Sequence, residues 1–284
     1  MNMKKTIIIG GDERQKELYT LFKDKNKNCA AVFENGELQN NLPLLDFDAV
    51  ILPLPCSKDG KTVFSAGNKL DLELSAVLEG VKKGTVLIGG NFSDSFRLAA
   101  EEKEAKIFDL FAEKDFALYN AYLTAQGAVR LLLENTKEYV VSLPALVTGF
   151  GKIGKATGLF LRSLGLDVYV FARRSEARLE ARALGFKTIT QNELSFCVHL
   201  FSFIFNTVPS RLFEKEDISH MKRGAVYFEL ASRPFGADEK DFEIEDAAFV
   251  FGGGLPGKFC PLSSAKEIEK RINKYLETQG DFLE

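Results

Sequence analysis

The chain has 284 residues, 45% of them hydrophobic and 27% charged, with a net charge of −3. That length exceeds the roughly 100–200 residues of one domain and predicts two lobes, each able to bury its own core. The charge excludes a broad field for nucleic acid or an anionic membrane, and two histidines with four scattered cysteines (Cys29, Cys56, Cys197, Cys260) predict neither a metal site nor a disulfide framework. Small molecules or proteins are the expected partners, and the thiols are expected to be reduced in a cytosol.

The opening "MNMKKTIIIG" holds an apolar run only a strand long, so neither a signal peptide nor a membrane span is expected. "TIIIGG" (6–11), "CAAVF" (29–33), "AVILPLP" (49–55) and "TVLIGG" (85–90) read as strands buried on both faces, with helical patterns at 13–25 and 94–106. A second series, "ALVTGFG" (145–151), "DVYVFA" (167–172), "FSFIFNTVP" (201–209), "AVYFELAS" (225–232) and "AAFVFGGG" (247–254), repeats the rhythm. Between them "NAYLTAQGAVRLLLENT" (120–136) predicts a linking helix with Asn120 as N-cap. The tail at 263–280 predicts an amphipathic helix that crosses back to the first lobe, by analogy with two-lobed dehydrogenases. The fold class is therefore α/β: two Rossmann-like, doubly wound parallel-sheet domains similar to 2-hydroxy-acid dehydrogenases. A substrate domain at 1–119 with the helix 262–284, a linking helix at 120–140 and a nucleotide domain at 141–261 are expected.

Gly149, Gly151 and Gly154 stand in G-x-G-x-x-G spacing, directly after a strand pattern and before a helical one. Gly149 suits the tight turn, Gly151 a close approach to pyrophosphate and Gly154 helix packing, so Gly149, Phe150, Gly151, Lys152, Ile153 and Gly154 are expected to cradle a dinucleotide. At the end of the next strand an NAD site carries Asp or Glu for the ribose hydroxyls; here stand Ala172, Arg173, Arg174 and Ser175. Loss of the carboxylate together with two guanidinium groups favours a 2′-phosphate, hence NADP, over two merely solvated arginines. Asn206, Thr207, Val208 and Pro209 follow a later strand and are expected to line the same groove.

For an anionic substrate, Arg14 opens a helix after Gly10 and Gly11, Ser57 follows "LPLPC", and Arg233 lies just past a strand's end where the nicotinamide is expected. The alternatives are an ordinary capped surface helix for Arg14 and a purely structural ion pair for Arg233. Cys56 as a nucleophile is disfavoured, because no histidine accompanies it in its motif. His199 and His220 lie outside these loops and are not read as general bases; the base is unassigned.

Together "GGDERQ", "NAYLTAQGA", "GFGKIG", "ARRS", "NTVPS", "ELASRP" and "GGGLPGKFCPLSSA" resemble, in order and over nearly the whole chain, the A subunits of bacterial dipicolinate synthases. The resemblance implies a cytoplasmic enzyme of spore formation that oxidises dihydrodipicolinate to dipicolinate with NADP, beside a flavoprotein B subunit and as a homo-oligomer. Lys258 in "GLPGKFCP" becomes a further candidate for a substrate carboxylate. Two positions depart from the expected pattern: Gln126 where a carboxylate is expected, and Leu262 where a lysine is. The competing readings are an NADP-linked 2-hydroxy-acid dehydrogenase, weakened by the absence of a histidine from "GGGLPGKFCP", and a nucleotide-binding regulatory subunit without chemistry of its own.

Overall fold

The computed structural model describes residues 5–25, 28–35, 47–243 and 246–278. The chain divides into two compact units, one running to Ala117 and resuming at Pro256, the other spanning Leu118–Leu255.

In the first unit, β1 (Thr6–Ile9), β2 (Cys29–Val32), β3 (Ala49–Ile51), β4 (Val86–Gly89) and β5 (Lys106–Asp109) form one parallel sheet in the order β2-β1-β3-β4-β5. Side chains alternate along a strand, and the two sheet faces therefore carry different cores. Ile7, Ile9, Val50 and Leu87 meet Val77 of α2 (Leu74–Glu79) and Phe96 of α3 (Asp94–Glu102). Ile8, Ile51, Val86 and Ile88 meet Leu18 and Phe22 of α1 (Glu13–Asp24) and the terminal helix, which supplies Ala265, Ile268, Ile272 and Leu276 at helical spacing. The tail thus completes the first unit.

The helix α4 (Lys114–Glu134) begins six residues before Asn120, so Asn120 is not its N-cap; its carbonyl instead accepts from Thr124 Oγ1 inside the helix. Asp115, in the first turn, supplies the negative charge that favours a start there. Ala121 and Ala125 then pack on Ala156 in the second unit.

The second unit holds β6 (Pro144–Thr148), α5 (Lys152–Ser163), β7 (Asp167–Phe171), α6 (Ser175–Ala183), β8 (Lys187–Ile189), α7 (Gln191–Cys197), β9 (Phe203–Asn206), α8 (Lys215–Ser219), β10 (Val226–Glu229) and β11 (Ala248–Phe251). Its parallel sheet runs β11-β10-β9-β6-β7-β8. That order reverses direction between β6 and β9, the switch point at which open α/β sheets bind ligands beyond their carboxyl ends. In the first unit the switch falls between β1 and β3. The chain closes with α9 (Leu255–Phe259) and α10 (Pro261–Thr278). Residues 256–261, placed with the nucleotide domain by sequence spacing, group with the first unit, where Gly257 sits so close to Asp12 that a Cβ there would lie 2.3 Å from its carboxylate.

Candidate nucleotide site

The second unit's switch point is shaped by its three glycines. Gly149 has a φ of +86°, and a Cβ there would lie 2.7 Å from Thr207 Oγ1. A Cβ on Gly154 would lie 2.2 Å from the Gly149 carbonyl oxygen, so only glycine lets α5 start against the turn. Gly151 differs: no protein atom lies within 4 Å of where its Cβ would be. It is the N-cap of α5 and offers no side chain to the first-turn N–H groups, leaving those of Lys152, Ile153 and Gly154 with the positive end of the helix dipole for an anion. An open cradle over Gly151 and a bare helix end fit a pyrophosphate.

Beside this turn lies a cavity of about 250 Å3 lined by Gly149, Phe150, Gly151, Phe171, Ala172, Arg173, Arg174, Ala177 and Val208. Ala172 is buried, so its methyl forms part of the wall, whereas Arg173 and Arg174 are exposed at the rim; Ser175 is exposed but does not line the cavity. Arg173 Nη2 donates to Ser210 Oγ, tying the end of β7 to the loop after β9. Arg174 is the N-cap of α6, and its guanidinium, which has donors only and cannot cap N–H groups, makes no hydrogen bond or ion pair among the described residues. Arg178, one turn into α6, donates from Nη1 to the carbonyls of both Ala172 and Arg173 at 2.7 Å. It fixes the backbone that presents the two rim arginines.

The segment 206–209 divides its duties. Val208 lines the cavity, Thr207 Oγ1 donates to the Thr148 carbonyl at 2.7 Å, and Pro209 is exposed. Asn206 is fully buried: its Oδ1 accepts from Thr148 Oγ1 at 2.5 Å and from Val208 N at 3.1 Å, and its Nδ2 donates to the Val208 carbonyl and to Glu229. Its amide shapes the groove from beneath. Arg233 is exposed and stacks over Phe235 at 4.6 Å, with no carboxylate paired to it among the described residues. Such a stacked, unpaired guanidinium is well suited to a carboxylate ligand.

The candidates of the first unit look different. Arg14 is only 4% exposed. Its Nε and Nη2 reach the two Asp12 oxygens at 2.8 Å each, and Nη2 also donates to the Leu54 carbonyl. The guanidinium is consumed inside the fold, joining the start of α1 to the loop after β3, and this geometry opposes the substrate role expected from sequence. Ser57 is occupied as well, donating to Asp59 Oδ1 at 2.8 Å and accepting from Gly60 N at 2.9 Å. Cys56 is buried, and burial followed by the charge of Asp109 pushes its thiol up to about 11, which removes it as a thiolate at neutral pH. Lys258 is exposed on α9, 4.8 Å over the Phe259 ring. Gln126 is exposed on α4, and Leu262 lies 43% exposed in the first turn of α10.

Two carboxylates were not singled out from the sequence. Asp109 accepts from Asn91 N, Phe92 N and Phe111 N and pairs with Arg97 Nη2. Glu229 is fully buried at the end of β10. The available signal differs: Glu229 closes the apolar run "VYFE", whereas Asp109 follows only "IF" after Lys106.

Residues 5–111 match the family model of the N-terminal domain of the dipicolinate synthase A subunit. Over 283 residues the chain is 25% identical to the dipicolinate synthase A subunit of Bacillus subtilis (strain 168), covering 96% of this chain and 95% of that one. The crystal structure of the dipicolinate synthase A subunit from Bacillus halodurans superposes with a TM-score of 0.82 at 20% identity, over 97% of this chain and 98% of that one. Apo D-lactate dehydrogenase from Escherichia coli superposes with a TM-score of 0.64 at 14% identity, over 96% and 97% of the two chains. The resemblance to the A subunits of dipicolinate synthase read from the motifs is borne out, and the fold of two parallel-sheet α/β domains is similar to that of the D-lactate dehydrogenase. No helix among the described residues is long and apolar enough to cross a membrane.

Proposed function

From its likeness to the A subunits of dipicolinate synthase, we propose that this chain oxidises dihydrodipicolinate to dipicolinate with NADP. The observation that carries the cofactor choice is the rim of the cavity at the end of β7, where Ala172 replaces a carboxylate and Arg173 and Arg174 stand exposed. An acidic side chain there repels a 2′-phosphate, whereas guanidinium groups donate to its oxygens in a planar fork. NADP bound there supplies a hydride acceptor.

The reaction removes one hydride from a ring carbon and one proton from its neighbour, giving dipicolinate, NADPH and H+. Aromatisation of the ring favours the products, so the protein's task is mainly to hold the ring in place. Arg233 is assigned to one carboxylate, on the grounds of its exposure, its stacking on Phe235 and the lack of a paired carboxylate among the described residues. Arg14 and Ser57 are left out, since both are occupied by their own neighbours. The proton is assigned to solvent. The Bacillus relatives are each named as one subunit of a synthase, which supports a second subunit; the proposed partner is a flavoprotein B subunit, in the cytoplasm of a spore-forming cell.

Isothermal titration of the full chain with NADP, NAD and dipicolinate tests the reading. NADP is expected to bind about a hundredfold more tightly than NAD, the worth of a charge-assisted phosphate contact plus the missing repulsion. Dipicolinate is expected to bind the NADP-loaded protein, and Arg233→Ala to weaken that binding. Preference for NAD, or nucleotide binding without dipicolinate, overturns it; the latter outcome indicates a regulatory subunit.

A further inference from the structure

A carboxylate with no part in the proposed chemistry lies directly beneath the loop that carries Arg233. Glu229 Oε1 accepts from Asn206 Nδ2 at 2.7 Å and from Ala231 N at 2.9 Å. Its Oε2 accepts from Gly236 N at 2.9 Å and from Tyr227 Oη at 3.1 Å. Ala231 and Gly236 bracket Arg233, so a single side chain grips both ends of its loop. Gly236 is there for this contact: a Cβ on it would lie 2.5 Å from Asn206 Nδ2 and 2.6 Å from Tyr227 Oη. Only glycine brings that N–H down onto the carboxylate.

The grip extends to the nucleotide groove. Asn206, held by Glu229, also joins Thr148, the residue before Gly149, to Val208 in the cavity wall. The strand end before the glycine turn, the loop after β9 and the Arg233 loop therefore hang on one buried amide and carboxylate. A buried carboxylate with four donors is expensive to disturb, because donors that lose it are left unmatched out of reach of water. Burial does push the Glu229 carboxyl up from its ordinary range, against the pull of those donors.

We infer that Glu229 is a positioning residue, which sets the Arg233 loop for the substrate carboxylate. The inference rests on the assignment of Arg233 above. Glu229→Gln is the discriminating variant: it keeps an oxygen for Asn206 and Ala231 but turns an N–H2 toward the Gly236 N–H, so two donors face each other. Tyr227→Phe removes one donor from the same oxygen and is the milder variant, which serves should Glu229→Gln fail to accumulate folded.

Hydrogen exchange of the peptide 230–237 and titrations with NADP and dipicolinate form the test. In Glu229→Gln the peptide is expected to exchange about tenfold faster and dipicolinate to bind about tenfold more weakly, with NADP affinity within about threefold of wild type. Tyr227→Phe is expected to move dipicolinate affinity in the same direction by about threefold, with NADP unchanged. Wild-type exchange in the variants, or equal losses for both ligands, overturns the inference. Failure of the wild-type chain to bind dipicolinate instead refutes the assignment of Arg233, and the exchange measurement still decides whether Glu229 holds the loop.

Discussion

The first strand of each unit carries the same device, a parallel strand followed by glycine and then a helix, and the two units use it in opposite ways. After β6, Gly151 caps α5 with no side chain, and the space over it holds no protein atom within 4 Å. After β1, Asp12 caps α1 in a full capping box with Gln15, and its charge is matched by Arg14. The chain also folds back there: Gly11 N donates to the Phe64 carbonyl at 2.7 Å, and Ala66 N to the Gly11 carbonyl at 2.8 Å. A Cβ on Gly10 would lie 2.7 Å from Phe64 O. One helix end is left for an anion, and the other is satisfied by the protein itself. A Rossmann-like rhythm alone therefore does not leave a helix start open; a capping side chain at one start and none at the other separates these two.

Breaking the closed end should have the largest effect. Asp12→Ala removes the cap of α1 and leaves Arg14 buried with only the Leu54 carbonyl, a loss of about 3–5 kcal/mol for an orphaned buried charge. Denaturant unfolding is expected to show that loss, while NADP affinity stays at the wild-type value. A variant as stable as wild type would mean that Arg14 is free to turn toward a ligand after all. Next in size is the double substitution Ala172→Asp with Arg173→Ala at the open end. It restores the carboxylate and removes one guanidinium, and is expected to weaken NADP about a hundredfold while NAD changes far less. Equal losses for the two nucleotides would return both arginines to solvated surface charge.

How much of the molecule is legible in its sequence depends on where each residue sits. Central strands such as "TIII" and "ALVT" are buried on both faces and announce themselves as β-branched runs. The two strands not recognised, β5 and β8, are both sheet edges, each starts with lysine, and each is only partly buried. Edge strands carry such charges because one side faces water, and that erases the apolar signal. The glycine turn is local, and its spacing alone marks a tight strand-to-helix connection. The roles of Arg14 and Glu229 are not local in the same sense: Arg14 is neutralised by a cap two residues away and a loop forty residues on, and Glu229 acts through a loop that closes over it. Charge and position predict that such a residue matters, but only folding shows whether it faces a ligand or the interior.

Gly151→Ala sets the smallest effect against the sharpest contrast. The residue's φ of −79° is one that alanine adopts without strain, and its Cβ would meet no protein atom. Stability is expected to hold or to rise by about 0.4–1 kcal/mol, because alanine narrows the unfolded ensemble. The added methyl nevertheless enters the space assigned to the pyrophosphate, so NADP and NAD should both weaken, by about tenfold, with their ratio unchanged. That pattern separates Gly151 from Ala172 and Arg173, whose replacement alters the ratio, and from Gly154, where a Cβ would lie 2.2 Å from backbone and damage the fold itself. Unaltered nucleotide affinity in Gly151→Ala would show that the open space over α5 is not where the phosphates lie, and the difference between the two helix ends would then need another explanation than anion binding.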